Sequence, residues 1–204
     1  MSPELHISLA NLKSNIQFFR KLIKKNTELS AVVKSNAYGL GIEKIVPEIE
    51  RNGIRTFFTA TISEAIKTRK YSRDSEIFTL NGFDYLKANL YKENNITPII
   101  NNIFEAQKFI EIFNQTKKVA IQLNTGMNRL GLDQRSLFEN IDLIKSLPLN
   151  LILSHLACAD DTSNRENIAQ KNLFTKLCES LPNIRQSISA SHGALLGNEF
   201  HFDM

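Results

Sequence analysis

The sequence predicts an α/β protein built on a parallel sheet with helices over its faces. Three observations carry this. Short apolar runs recur along the whole chain, they are continuous rather than alternating, and stretches with helical spacing separate them. A strand buried on both faces has no polar side to alternate with. Parallel strands also need a crossover between them, usually a helix, which the intervening stretches supply.

The first helix is the clearest element. Leu9, Leu12, Ile16, Phe19 and Ile23 fall at spacings of three and four and leave Lys13, Arg20 and Lys24 on the other face. Ser8 stands where a hydroxyl can cap the first turn. The first strand is Ala31-Val32-Val33, and further apolar runs follow at 56–60, 76–80, 97–100, 119–123, 149–154 and 187–190. Helical spacing returns between them, as in Ala106, Phe109, Ile110 and Phe113, and in Leu137, Ile141, Ile144 and Leu147. Two architectures fit seven such strands, an open doubly wound sheet and a (β/α) barrel. A doubly wound dinucleotide fold calls for GxGxxG after an early strand, which the chain lacks. A barrel calls for eight strands in roughly 250 residues, so this chain is about one β/α unit short.

Composition bounds the function classes. With 204 residues, 42% hydrophobic and 23% charged, the chain has the make-up of a soluble globular domain with a sizeable core. The net charge of +4 comes from 25 basic against 21 acidic residues spread along the chain, and the basic clusters are short, so no nucleic-acid partner is expected. Two cysteines without a CxxC pair support neither a disulfide framework nor a zinc cluster. No apolar run is long enough to span a membrane, and the N-terminus has no leader pattern, so the expectation is a cytoplasmic protein.

In either parallel architecture, functional residues gather at the carboxyl ends of the strands. Lys34 abuts the first strand. Desolvation there makes an amine nucleophilic toward aldehydes, although a lysine can also reach past the strand end to water. Arg129, set between Gly126 and Gly131, suits an anionic oxygen or a plain surface turn. His155 ends the sixth run and fits an acid/base group, a ring platform or a buried structural histidine. Cys158 reads as a small apolar filler. Ser191 and Gly193 follow the seventh run, where small residues let backbone N–H groups face a phosphate or simply form a turn.

Four segments, in order, resemble the alanine racemase family. Ala31-Val32-Val33-Lys34-Ser35-Asn36-Ala37-Tyr38-Gly39 is similar to its pyridoxal-phosphate signature, and Thr125-Gly126-Met127-Asn128-Arg129-Leu130-Gly131 to its second hallmark. Ser154-His155-Leu156-Ala157-Cys158-Ala159-Asp160 and residues 189–197 match two further stretches. The resemblance covers nearly all of the chain. It implies an α/β fold, a parallel (β/α) TIM-type barrel that is incomplete, with about seven of eight strands, binding pyridoxal 5'-phosphate at its mouth. It also implies interconversion of L- and D-alanine, which supplies D-alanine to cell-wall precursors.

Carried across by position, Lys34 binds the cofactor aldehyde and serves as one of two acid/base groups. Tyr38 and Ser191 hold the phosphate, Arg129 the phenolic oxygen and a part of the substrate site. His155 packs on the ring and Leu80 lines the ring pocket. Gln122 stands where many relatives carry a modified lysine, and its amide can hydrogen-bond to Arg129. Asn124 replaces an aspartate, and Ala190 replaces an asparagine. Relatives continue into an eighth strand and a C-terminal β domain, which carries the second base across a homodimer. The expectation is therefore a truncated chain, residues 1–204 forming the barrel part alone, weak or inactive by itself. The alternative is a single-domain pyridoxal-phosphate-binding homeostasis protein without enzymatic activity.

Overall fold

The structure is a computed structural model that describes residues 4–204. Its centre is a parallel sheet whose strands follow one another in chain order, β1 (Ala31–Val32), β2 (Thr56–Thr59), β3 (Glu76–Thr79), β4 (Thr97–Ile100), β5 (Val119–Gln122), β6 (Leu149–Leu153) and β7 (Gln186–Ser187). Each pairs in parallel with the next, for example Phe57 with Ile77 and Ile121 with Ile152. Simple order with helices outside is the β/α barrel arrangement, not the doubly wound one, which reverses direction midway.

Alternation along the strands sorts side chains to two cores. Phe58, Phe78, Ile99, Ala120, Leu151 and Leu153 form a cluster inside the curled sheet, joined by Met204 and flanked by Leu80. Their neighbours, among them Phe57, Ile77, Ile100, Ile121 and Ile152, face outward into a larger cluster with the helices. Both faces of each strand are thus apolar, which is why the runs were continuous in sequence.

The helices are α1 (Leu9–Leu22), α2 (Ile42–Arg51), α3 (Ile62–Tyr71), α4 (Ala88–Glu93), α5 (Ile103–Phe113), α6 (Gln134–Glu139), α7 (Ile141–Ser146), α8 (Arg165–Cys178) and α9 (Ser191–Leu195). Ser8 caps α1 as expected, its hydroxyl accepting the Asn11 N–H at 3.2 Å. Two expectations need correction. The spacing from Leu137 to Leu147 predicts one helix, but it breaks at Asn140, whose amide donates to the Ser136 carbonyl at 3.0 Å and competes with the backbone ladder. The seventh strand lies at Gln186–Ser187 and not at 187–190, because the Ser189 hydroxyl bonds to the Phe200 carbonyl at 2.9 Å and the chain turns into α9.

Inside the amino end of the sheet sits a polar plug. The Arg185 guanidinium donates to both carboxylate oxygens of Glu76, at 3.1 and 2.8 Å, and to Glu28 at 3.2 Å. Thr56 in turn donates to Glu28. This ties β7 to β3 and to the approach of β1 across the interior of the sheet. β1 and β7, the two ends of the strand order, do not pair with each other.

Candidate functional site

At the carboxyl end of β1 the backbone leaves the strand through a left-handed turn. Ser35, Asn36 and Ala37 have φ/ψ near 52–56° and 47–49°, and Tyr38 has φ 54°. For L-residues this region costs about 1–2 kcal/mol each. Compensation comes from neighbouring groups. The Glu64 carboxylate accepts the Ser35 N–H at 2.7 Å and the Ala60 N–H at 2.8 Å, stitching the ends of β1 and β2 together. The Asn36 side chain accepts from Ile42 N–H and Lys67 Nζ at 3.2 and 2.9 Å. Lys34, half-buried, opens this turn, and its Nζ lies 5.9 Å from the centre of the Tyr38 ring. Among the described residues no ion pair engages that amine.

After β5 the chain makes a tight loop. The Asn124 carbonyl oxygen of its side chain accepts from the Gly126 and Asn128 N–H groups at 3.1 and 3.0 Å, and the Leu132 N–H returns to the Gln122 carbonyl at 2.9 Å. Gly131 closes it at φ +102°, where a Cβ would stand 2.9 Å from the Gln122 carbonyl oxygen. Arg129 projects from this loop, exposed. The expected bond between the Gln122 side chain and Arg129 does not form among the described residues. Asn124, where relatives carry an aspartate, shapes the loop.

His155 follows β6 and is half-buried. Burial, then the positive charges of Arg129 and Lys34, hold its imidazole below the ordinary 6.5, so it is neutral at pH 7. These three side chains therefore share one electrostatic neighbourhood although they come from three different strand ends. Leu80 follows β3 and packs on the inner cluster, its carbonyl accepting from Asn101 at 2.9 Å. Ser191 begins α9 after Ala190, which offers no side chain to cap the helix. Tyr38, 61% exposed, and Ser191 line the same cavity of about 420 Å³. Cys158 is a free, partly buried thiol.

One positioning residue had no signal in the sequence. Gln170 of α8 is buried. Its side chain accepts the Ala157 N–H at 2.8 Å and donates to the His155 carbonyl at 3.2 Å and to Thr125 at 3.4 Å. It fastens the loops after β5 and β6 to each other, and with them Arg129 and His155. A glutamine inside a helix carries no mark of this in sequence.

Comparison with known proteins follows this geometry. The profile of the family described as "Alanine racemase, N-terminal domain" matches residues 7–204. The chain is 35% identical over 207 residues to alanine racemase of Rickettsia prowazekii, covering 98% of this chain and 51% of that protein. It is 37% identical over 187 residues to that of Rickettsia bellii, covering 88% and 46%. The crystal structure of alanine racemase from Bartonella henselae with covalently bound pyridoxal phosphate superposes with a TM-score of 0.90 at 33% identity, over 97% of this chain and 59% of that one. The chain thus spans about half the length of the curated relatives it matches. With its parallel β/α sheet and its four motifs brought to one mouth, the chain belongs to the alanine racemase N-terminal domain family.

Proposed function

We propose that this chain is the cofactor-binding barrel part of an alanine racemase, holding pyridoxal 5'-phosphate through Lys34 and acting on L- and D-alanine to supply cell-wall precursors. What supports this is that His155 feels the charges of Arg129 and Lys34, that the Lys34 amine lies 5.9 Å from the Tyr38 ring, and that Tyr38 and Ser191 line one cavity. The donor set fits that cofactor. A primary amine without a carboxylate partner suits its aldehyde, a guanidinium its phenolic oxygen, and two hydroxyls its phosphate. When bound, the cofactor draws electron density from the substrate α-carbon and makes its proton acidic.

The residues divide the remaining work. Lys34 takes and returns a proton at the α-carbon on the face it occupies. His155 offers a flat, uncharged surface to the ring and does not compete with Lys34 for the proton. Arg129 orients the phenolic oxygen and the substrate carboxylate side, while Leu80 closes the pocket wall. Inverting a stereocentre needs a second acid/base group on the opposite face, and this reading assigns Lys34 alone within residues 4–204. By themselves these residues are expected to capture the cofactor and to racemise alanine weakly.

The test is to titrate the chain with pyridoxal phosphate, reduce with borohydride and locate the modified lysine by mass spectrometry. Label confined to Lys34, and lost in Lys34→Ala, is the expected outcome. Label scattered over surface lysines would overturn the assignment.

A further inference from the structure

At the amino ends of β3 to β6, the opposite end of the sheet from Lys34, lies a second cavity of about 630 Å³. Lys92 of α4 lines it, with Lys117 and Lys118 from the chain just ahead of β5, and with Asp74, Glu76 and Asn150. Lys92 and Lys118 are exposed and Lys117 is half-buried. Among the described residues no ion pair engages any of the three amines. Of the two carboxylates, Glu76 is already held by the Arg185 guanidinium. Three cations therefore line this cavity against one remaining acid, Asp74.

Arg69 of α3 sets the state of Lys117. Its guanidinium donates to five main-chain carbonyls, those of Ser72, Arg73, Ser75, Asn94 and Asn95, at 2.8 to 3.0 Å. These acceptors are neutral, so they fix the group without cancelling its charge. Burial first, then the positive charge of Arg69, push the Lys117 amine down to about 8. At pH 7.5 about a quarter of it is free base, against about a thousandth of an ordinary lysine. One polar group in the wall is also unmatched. The Asn150 side-chain oxygen is buried and has no hydrogen-bond partner among the described residues.

We propose that this cavity is an acylation site, in which Lys117 takes an acyl group from a small acyl phosphate whose phosphate is held by Lys92 and Lys118. The lone pair of the amine forms a bond to the acyl carbon. The bond from that carbon to the phosphate oxygen breaks, and the departing phosphate takes its electron pair and the proton that the nitrogen sheds. No oxidant or further reactant is consumed. Two ammonium groups beside the nucleophile draw in a phosphate and not a neutral ester, which gives the site its reagent class. The product is an uncharged amide. It ends the repulsion with Arg69 and brings an N–H donor to a cavity that holds an unmatched acceptor. The charges packed around Lys117 are those of Arg69 in α3, Asp74 and Glu76 at β3, Lys92 in α4 and the adjoining Lys118.

The probe is acetyl phosphate, added to the 204-residue chain at pH 7.5, with the acetylation rate of each lysine read by mass spectrometry. Lys117 should react about tenfold faster than the exposed Lys13 and Lys145, because its larger share of free amine outweighs its lower intrinsic nucleophilicity. That advantage should shrink toward pH 10, where ordinary lysines lose their protons as well. Lys92→Ala combined with Lys118→Ala should slow acetyl phosphate at Lys117 about fivefold, and leave labelling by phenyl acetate, a neutral ester, within about twofold. Lys117 labelled no faster than Lys13 and Lys145 overturns the proposal. So does a double variant that loses nothing, or that loses equally with both reagents, since the two lysines would then hold no phosphate. Rates are resolved residue by residue, so the result at Lys117 stands whether or not Lys34 takes the cofactor.

Discussion

His155 shows how a single residue acquires its state from neighbours far away in sequence. Its imidazole is held below 6.5 by burial and by Arg129 and Lys34. Between that lowered value and 6.5 the unfolded chain binds more protons than the folded one, so this contribution to stability is intact above 6.5 and falls as pH descends. Thermal melts across pH 5–7.5 should therefore show a loss of stability on acidification that is reduced in His155→Gln. The same slope in both proteins would place the titration elsewhere. The histidine was legible as a candidate from its position after an apolar run. Its protonation state was not, since that depends on burial by the surrounding fold and on two cations brought from other strand ends. The left-handed turn at 35–38 was equally hidden, because alanine and tyrosine have no preference for that region.

Between strands, helix caps act as stitches. Glu64 closes the capping box of α3 and also holds Ser35 and Ala60, while Asn102 caps α5 and the Glu105 carboxylate in its first turn holds Asn101 and Phe83 at 2.9 and 3.2 Å. Capping chemistry at Thr61 and Glu64 is a local pattern. That the same carboxylate braces the Lys34 turn is tertiary. Glu64→Ala should cost about 1–2 kcal/mol of stability, as expected for loss of a charged acceptor at several N–H groups. It should also slow labelling of Lys34 more than Thr61→Ala, which removes only the helix cap. Equal labelling in the two variants would mean that the turn holds without Glu64. At this scale the periodicity located the helices well. It failed at Asn140 and around Ser189, where a side-chain bond to the backbone outweighed the apolar spacing.

Across the whole molecule, the curl of the sheet rests on the two cores and on the polar plug at its amino end. Arg185 lies 109 residues from Glu76 and 157 from Glu28, yet it bonds both. The plug is partly open to solvent, so its loss is milder than that of a fully buried pair. Arg185→Ala should destabilise by about 1–2 kcal/mol and lower the melting temperature by about 2–8 °C, measured by calorimetry. A variant melting with the wild type would show that the inner apolar cluster alone maintains the curl. The four family segments named the mouth in advance because each follows directly on a strand, and strand ends are where a parallel sheet gathers its loops.

By itself the sequence determined the class of the fold, the succession of strands and helices along the chain and which loops carry Lys34, Arg129, His155 and Ser191, since these follow from local periodicity and from residues adjacent to it. Only the tertiary structure decided how those side chains act on one another, which buried amide braces their loops and how residues 202–204 tie β7 to the approach of β1. Those outcomes depend on burial, charge and hydrogen bonds between segments up to 175 residues apart, a distance over which no local pattern carries information.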